Sequence, residues 1–312
     1  MTFGAQADAK VAHRIMDIAA ERGVNFIDTA DSYPLPPSLE TAGRTEEIVG
    51  AWLKGKRQQF VLATKGTNPV GPGPNDRGSS RTHLMHALDQ SLRRLGADYV
   101  DIYYLHHPDP DTPLDETIEA LDDMRRAGKI RYAAASNISA WELAYWTSWS
   151  AHHDRARFAC VQPRYNMLYR AIEAELVPAC NALDVALVVY NPLAAGVLTG
   201  KYRAGDKPAE GRFAFKGASG ERYRTRYYRD ETLRVVQEAA EDSARRGKSL
   251  THVAVRWTLD QPGITCAIVG ASKAEQIEDS LKGVDVNLED ADRRLCDDLW
   301  YRLPRRRPQE EG

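Results

Sequence analysis

Cysteine is scarce in this chain of 312 residues: four occur, Cys160, Cys180, Cys266 and Cys296, all far apart. They form no CxxC pair and no Cys/His metal spacing, so buried free thiols in a reducing compartment are expected. No apolar run approaches the roughly 18 residues of a membrane span, and no charged start leads into an apolar signal segment. Neither sign of charge dominates, since 42 Lys and Arg stand against 44 Asp and Glu for a formal net charge of -2. The two signs are mixed along the chain, which argues against a nucleic-acid or membrane surface. These absences point to a cytoplasmic protein with a small-molecule partner.

What the chain does have is an alternation of short apolar runs with amphipathic stretches. Residues 8–21 place Val11, Ile15, Ile18 and Ala19 on one helical face, and Arg22-Gly23 ends the helix before the strand VNFI. The pattern continues with helix 44–55, strand 59–64, helix 81–95, strand 99–105, helix 115–127, strand 129–135 and helix 139–150. Later strands are expected at 158–162, 185–190 and 264–269, each continuously apolar, as where both faces of a strand are buried. Met1-Thr2-Phe3-Gly4 holds only the end of one more strand. The expected fold is therefore an α/β (β/α)8 TIM barrel with its first strand shortened at the N-terminus. Residues 1–303 would form a single domain and 304–312 a charged tail with little order. The stretch from Asn191 to about Tyr228, rich in Gly and Arg, reads as a long functional loop with room for a short helix.

A barrel gathers the ends of its strands on one face. Asp28 and Tyr33 follow VNFI, Lys65 follows QQFVLAT and His106 follows DYVDIYYL, so the four are expected to meet there. A phenol ionises near 10, too high for an efficient acid at neutral pH, and an adjacent ammonium would lower it. Lys65 can supply that charge, Asp28 can hold Lys65, and His106 can orient an oxygen by a hydrogen bond. Such a set delivers a proton to an oxygen that gains negative charge, as a carbonyl does when hydride reaches its carbon. No side chain supplies hydride, so a nicotinamide cofactor is expected. Each residue also has a plainer reading: a turn cap for Asp28, a solvated lysine, a buried imidazole, a packing tyrosine. Likewise Ser136-Asn137 could be a helix cap before Ile138. His83 and His86, spaced i, i+3 without a third ligand, read as packing or surface residues. Trp141, Trp146 and Trp149 read as the apolar face and flank of a helix.

The segments MTFG, GVNFIDTADSY, VLATK, LRRLGADYVDIYYLHHPDP, GKIRYAAASN, VQPRYNML, YNPLAAGVLTGKY and IVGASKAEQIEDSL resemble, in order, those of the aldo/keto reductases, nearest to the aflatoxin-aldehyde and succinic-semialdehyde reductase and potassium-channel β-subunit branches. The resemblance implies a barrel that binds NADPH or NADP+ in an extended form, with NADH as the alternative, and reduces an aldehyde or ketone. Tyr33 would be the acid, assisted by Lys65, Asp28 and His106. It further implies that Ser136, Asn137 and Gln162 bind the nicotinamide carboxamide and that Tyr190 stacks on the ring. Asn191, Pro192, Leu193, Gly196, Leu198 and Lys201 would lie along the pyrophosphate, and Arg212 at the adenosine phosphate end. Gly270, Ser272, Lys273 and Gln276 would face the 2′-phosphate, with Asp279 and Ser280 near the adenine. Ser280 stands where many members have Asn, and position 276 lacks the Arg that favours a phosphate. Tyr223 and Arg226 resemble substrate-contacting residues that suit anionic or phosphorylated carbonyls, and Pro34–Thr41 would rim the mouth. The same framework resembles nucleotide-sugar 2,3-reductases of deoxysugar pathways. From another class, it resembles NADPH-binding regulatory subunits with slow turnover, although the sequence begins directly in the barrel. A homo-oligomer is compatible with all of these readings.

Overall fold

The computed structural model describes residues 1–304; positions 305–312 of the expected tail lie outside the described residues. The chain opens with Thr2 Oγ1 donating to the carbonyl of Ala271 at 2.5 Å, and Phe3 makes an isolated parallel bridge to Ala7. Helix α1 (Ala9–Glu21) begins where Asp8 accepts from the Val11 amide at 2.8 Å and satisfies one of the open donors of the first turn. Its buried stripe is Ala12, Ile15, Met16, Ile18 and Ala19. The chain then alternates through β1 (Phe26–Asp28), α2 (Arg44–Leu53), β2 (Val61–Gly66), α3 (Arg81–Leu95), β3 (Val100–Leu105), α4 (Leu114–Arg126), β4 (Ile130–Ser136), α5 (Ala140–His152), β5 (Phe158–Gln162), α6 (Leu176–Leu183) and β6 (Ala186–Tyr190). There follow α7 (Gly217–Tyr227), α8 (Asp230–Arg245), α9 (Leu250–Asp260), β7 (Ile264–Ile268), α10 (Ala274–Lys282) and α11 (Asp290–Arg302). The seven strands form one sheet in chain order, and with the helices between them this is the (β/α)8 barrel class.

The described residues cluster into two compact units. One comprises Met1–Pro163, Glu173–Val188 and Gly270–Ala274. Within it β1 to β6 pair in parallel, and the registers Asp28↔Ala63, Lys65↔Tyr104 and Ser136↔Gln162 bring polar residues to the C-terminal ends of neighbouring strands. Beneath them Leu62, Tyr103, Leu105, Ala134 and Val161 are buried on strands that have almost no exposed face. The other unit comprises Arg164–Ile172, Val189–Val269 and the residues from Glu275 onward. Its core gathers Leu233, Val236, Val253, Trp257 and Leu299, with Tyr165 stacked on Trp257 at 5.2 Å. Asp292 is fully buried there, yet takes hydrogen bonds from Arg246 at 3.1 Å and from Lys248, which offset the cost of its burial.

The stretch 191–228, expected as a loop with room for a short helix, carries two 3-10 turns and the eleven-residue helix α7. This helix packs through Gly220 and Tyr227 rather than through aliphatic side chains. A Cβ at Gly220 would fall 1.8 Å from the Phe215 carbonyl oxygen, so the glycine permits that approach. Of the cysteines, Cys160, Cys180 and Cys296 are buried free thiols and Cys266 is half-buried. Burial pushes Cys180 and Cys296 up to about 12, which keeps them protonated. Among the described residues no helix is long and apolar enough to cross a membrane, and no group of His, Cys, Asp or Glu could hold a metal ion.

Candidate active site

Three consecutive strands deliver the expected proton-transfer residues within the first unit. Asp28 ends β1, Lys65 lies inside β2 one residue before its end, and His106 follows β3 directly. Tyr33 sits in the turn after β1. Lys65 has no exposed surface and ion-pairs with Asp28 Oδ1 while donating to the Thr29 carbonyl at 2.8 Å. Gln162 Nε2 donates to Asp28 Oδ2 at 2.8 Å, so both carboxylate oxygens are engaged. The Lys65 ammonium lies 5.5 Å from the centre of the Tyr33 ring, and the His106 ring meets that ring edge-on at 5.6 Å. Burial first, and the Lys65 charge second, hold His106 well below its usual pKa, so its ring is neutral at physiological pH.

A second tyrosine lies equally near the ammonium. Tyr104 on β3 has its ring centre 5.5 Å from Lys65 Nζ, but it is fully buried and its hydroxyl lies 3.2 Å from Cys160 Sγ. Burial and the neighbouring Cys160 and Asp28 push its pKa up, which makes it a poor proton donor. Tyr33 keeps 8% of its surface exposed. Of the two phenols, it alone keeps any exposed surface.

The next strands add amide and hydroxyl groups. Ser136 ends β4 and donates to the Gln162 carbonyl at 2.8 Å. Asn137, at φ 59°, donates through Nδ2 to the carbonyl of His106 and to Ser136 Oγ, each at 3.0 Å. Neither residue caps a helix, because α5 is capped by Ser139 in a reciprocal box with Glu142. The helix-cap reading of Ser136-Asn137 therefore fails. His83 is buried and bonds through Nδ1 to the Asn75 carbonyl at 3.0 Å, in keeping with a packing role. Trp146 packs on Phe158 at 5.3 Å while Trp141 is 69% exposed, the face and flank of α5.

In the second unit, Tyr190 ends β6 and burial pushes its hydroxyl up to about 12, against a smaller downward pull from Arg226. Asn191 follows at φ 71°; its Oδ1 accepts from the Ala195 amide at 2.6 Å, and its Nδ2 donates to Tyr227 at 3.2 Å. Pro192 and Leu193 lead into a 3-10 stretch with Ala194, Ala195 and Gly196 all at positive φ, and Leu198 is buried beneath it. A Cβ on Gly196 would meet nothing closer than Lys201 and Tyr202 at 3.9 Å, so this turn has open space on its glycine face. Lys201 lies over Tyr202 at 5.0 Å, and Arg212 over Tyr223 at 5.4 Å. Tyr223 and Arg226 both stand on α7, and Arg226 is a neighbour of Tyr190, Tyr227 and Arg164. Arg164, which the sequence reading missed, is buried against Tyr169 at 3.5 Å.

Gly270, Ser272 and Lys273 precede α10, and Gln276, Asp279 and Ser280 lie on it. Lys273 and Gln276 are exposed and Ser280 is buried. Asp279 is engaged by His252 at 2.9 Å.

The aldo/keto reductase family pattern matches residues 1–301. The chain belongs to the aldo/keto reductase family. It is 36% identical over 290 residues, 92% of the chain and 85% of the relative, to a probable voltage-gated potassium channel subunit beta of Oryza sativa subsp. japonica. It is 35% identical to the uncharacterized oxidoreductase YrpG of Bacillus subtilis (strain 168), covering 96% of the chain and 90% of that protein. An L-glyceraldehyde 3-phosphate reductase of Escherichia coli O157:H7 is 32% identical, over 87% of the chain and 78% of that protein. As an aldo/keto reductase, the chain is an oxidoreductase of carbonyl groups in a family that generally binds NADP(H). Each unit by itself holds groups of the kind that fit such a cofactor. In the first, a hydroxyl and two amides sit at adjoining strand ends; in the second, a turn of left-handed residues leaves open backbone near Lys201.

Proposed function

We propose that this aldo/keto reductase reduces an aldehyde or ketone to an alcohol at the expense of NADPH, with Tyr33 as the general acid. The observation that carries the reading is the buried Lys65–Asp28 pair beside Tyr33, the one of the two neighbouring phenols that keeps exposed surface. Bound NADPH would supply the hydride that adds to the carbonyl carbon. Tyr33 gives its phenolic proton to the carbonyl oxygen, and the Lys65 ammonium, held by Asp28 and Thr29, stabilises the phenolate left behind. The proton is then restored from solvent. His106, neutral and edge-on to Tyr33, holds the carbonyl oxygen by a hydrogen bond so that the proton has a short path. Ser136, Asn137 and Gln162 bind the carboxamide, Tyr190 stacks on the ring, and Asn191 to Lys201 follow the diphosphate. Arg212, Gly270, Ser272, Lys273 and Gln276 hold the adenosine phosphates, with Asp279 and Ser280 near the adenine. In this reading residues 1–303 act as one barrel domain, and Tyr223 and Arg226 on α7 receive an anionic part of the substrate.

The test is Tyr33→Phe, assayed with NADPH and a panel of aldehydes. Loss of a positioned acid costs about 10²–10⁴-fold in turnover, while cofactor binding, read by quenching of protein fluorescence, stays as it was. Undiminished turnover in that variant removes the acid assignment. A second reading, an NADPH-binding regulatory subunit with slow turnover, is favoured by the plant channel-subunit relatives. Stable capture of a partner by a protein with little turnover on every carbonyl tried would support it. Nucleotide-sugar ketones belong in the same panel.

A further inference from the structure

The hydrogen bonds of His106 go beyond the four residues of the proton-transfer set. Its backbone amide donates to the Gly66 carbonyl at 2.9 Å, and its carbonyl accepts from Asn137 at 3.0 Å, so the main chain is pinned on both sides. Its ring is held from a third direction. Asn68 Nδ2 lies 2.8 Å from His106 Nδ1 and 3.0 Å from Ser32 Oγ. An amide nitrogen has two hydrogens and no lone pair to offer. With the amide oriented this way both hydrogens are spent, one on Ser32 and one on the imidazole, and Nδ1 is the bare, accepting nitrogen.

The segment that brings Asn68 to this place is itself unusual. The chain leaves β2 through Thr67 at φ 97°, which a β-branched residue rarely adopts. The turn is closed by the Gly78 amide donating to the Thr67 carbonyl at 2.8 Å. A backbone cost accepted two residues after Lys65 aims the amide at the histidine.

We propose that Asn68 is a positioning residue that fixes His106 in the tautomer with its proton on Nε2, so that the ring offers an N–H donor and no competing lone pair. The proposal rests on the reading of His106 as the group that orients the carbonyl oxygen. With the opposite tautomer, the free nitrogen would repel that oxygen instead of holding it. The depressed pKa of the ring agrees, since a neutral imidazole has a tautomer to be chosen.

The experiment uses the full chain labelled with 15N-histidine, with His106 signals identified by their loss in His106→Asn. Long-range proton–nitrogen spectra at neutral pH separate a protonated ring nitrogen from a bare one. The wild type is expected to show a bare Nδ1 and a protonated Nε2. In Asn68→Asp the carboxylate only accepts, so the proton moves to Nδ1, and kcat/KM falls roughly tenfold or more while NADP+ affinity is unchanged. In Asn68→Leu the two tautomers mix and the nitrogen shifts move toward their average. A wild-type ring protonated at Nδ1, a result that needs no variant to fold, overturns the proposal. So does the wild-type signature persisting in Asn68→Asp or Asn68→Leu. A displaced proton with undiminished turnover counts against the role of His106 and leaves the assignment of Asn68 standing.

Discussion

Replacing Asp28 by Asn keeps the size and shape of the side chain and removes its charge from beside Lys65. The lysine has no exposed surface, and among the described residues the carboxylate is its one ionic partner, Thr29 supplying a neutral carbonyl at 2.8 Å. Stripping one member from a buried pair leaves the other charge uncompensated, at a cost of about 3–5 kcal/mol. The amide also brings a donor toward Gln162 Nε2, which now donates to Asp28 Oδ2 at 2.8 Å, so that contact is lost or reversed. For a chain of this size the melting point should fall by roughly 10 °C. Lys65→Met leaves a carboxylate held by Gln162 alone and is expected to cost less, because Asp28 keeps 8% of its side chain exposed. The double variant, which removes both charges, should be more stable than the sum of the single losses predicts, by about 2–3 kcal/mol. Urea denaturation of the four proteins at neutral pH measures this. Additivity within about 0.5 kcal/mol would refute the claim that the pair is a coupled, desolvated unit.

Gly66→Ala places a Cβ 2.2 Å from Tyr103 Oη, inside a fully packed region. It should cost about 1–3 kcal/mol, and Tyr103→Phe, which removes a hydroxyl without a partner, should restore most of it when the two are combined; denaturation midpoints decide. The pH dependence follows from His106. Its folded pKa lies below its unfolded value, so its contribution to stability is complete above about pH 6.5 and is lost as pH falls toward the depressed folded value. The wild type should therefore lose more stability than His106→Asn between neutral pH and mild acid. The groups acting on this ring are Lys65, His107 and the amino terminus, and the comparison cancels groups elsewhere such as Asp31 and His83. Equal losses in the two proteins would count against a buried neutral ring.

The strand ends were legible because β-strands buried on both faces leave unbroken apolar runs, and the polar residue after such a run stands out. Helix α3 has the expected limits, since Ser80 and Gly96 punctuate both ends. Helix α7 was legible only as a short helix within a loop, without bounds: its buried contacts come from Tyr227 and Gly220, and neither contributes to an aliphatic period. The polar links were hidden for a different reason. Asn68, Ser32 and His106 are joined by side chains from separate turns, and no sequence spacing records such a meeting. The same holds for Glu46, fully buried on α2, which accepts from Thr64 at 2.5 Å and from Arg94 at 2.7 Å. Nearby Asp31 is almost completely buried, and burial and the charge of Glu46 hold its carboxyl well above the usual range.

The complete burial of Lys65 bears on the safety of the site as much as on its acidity. Amines condense with aldehydes, and a neutral, accessible lysine beside a reacting carbonyl would be captured as an imine, ending that molecule's turnover. Here the amine is locked as an ion pair with Asp28, with the Tyr33 ring beside it. In the proposed mechanism its lone pair is therefore withheld from the substrate, and the carbonyl meets the phenol instead. If the site reduces aldehydes as proposed, it can thus keep a lysine at its heart without being poisoned by the compounds it handles.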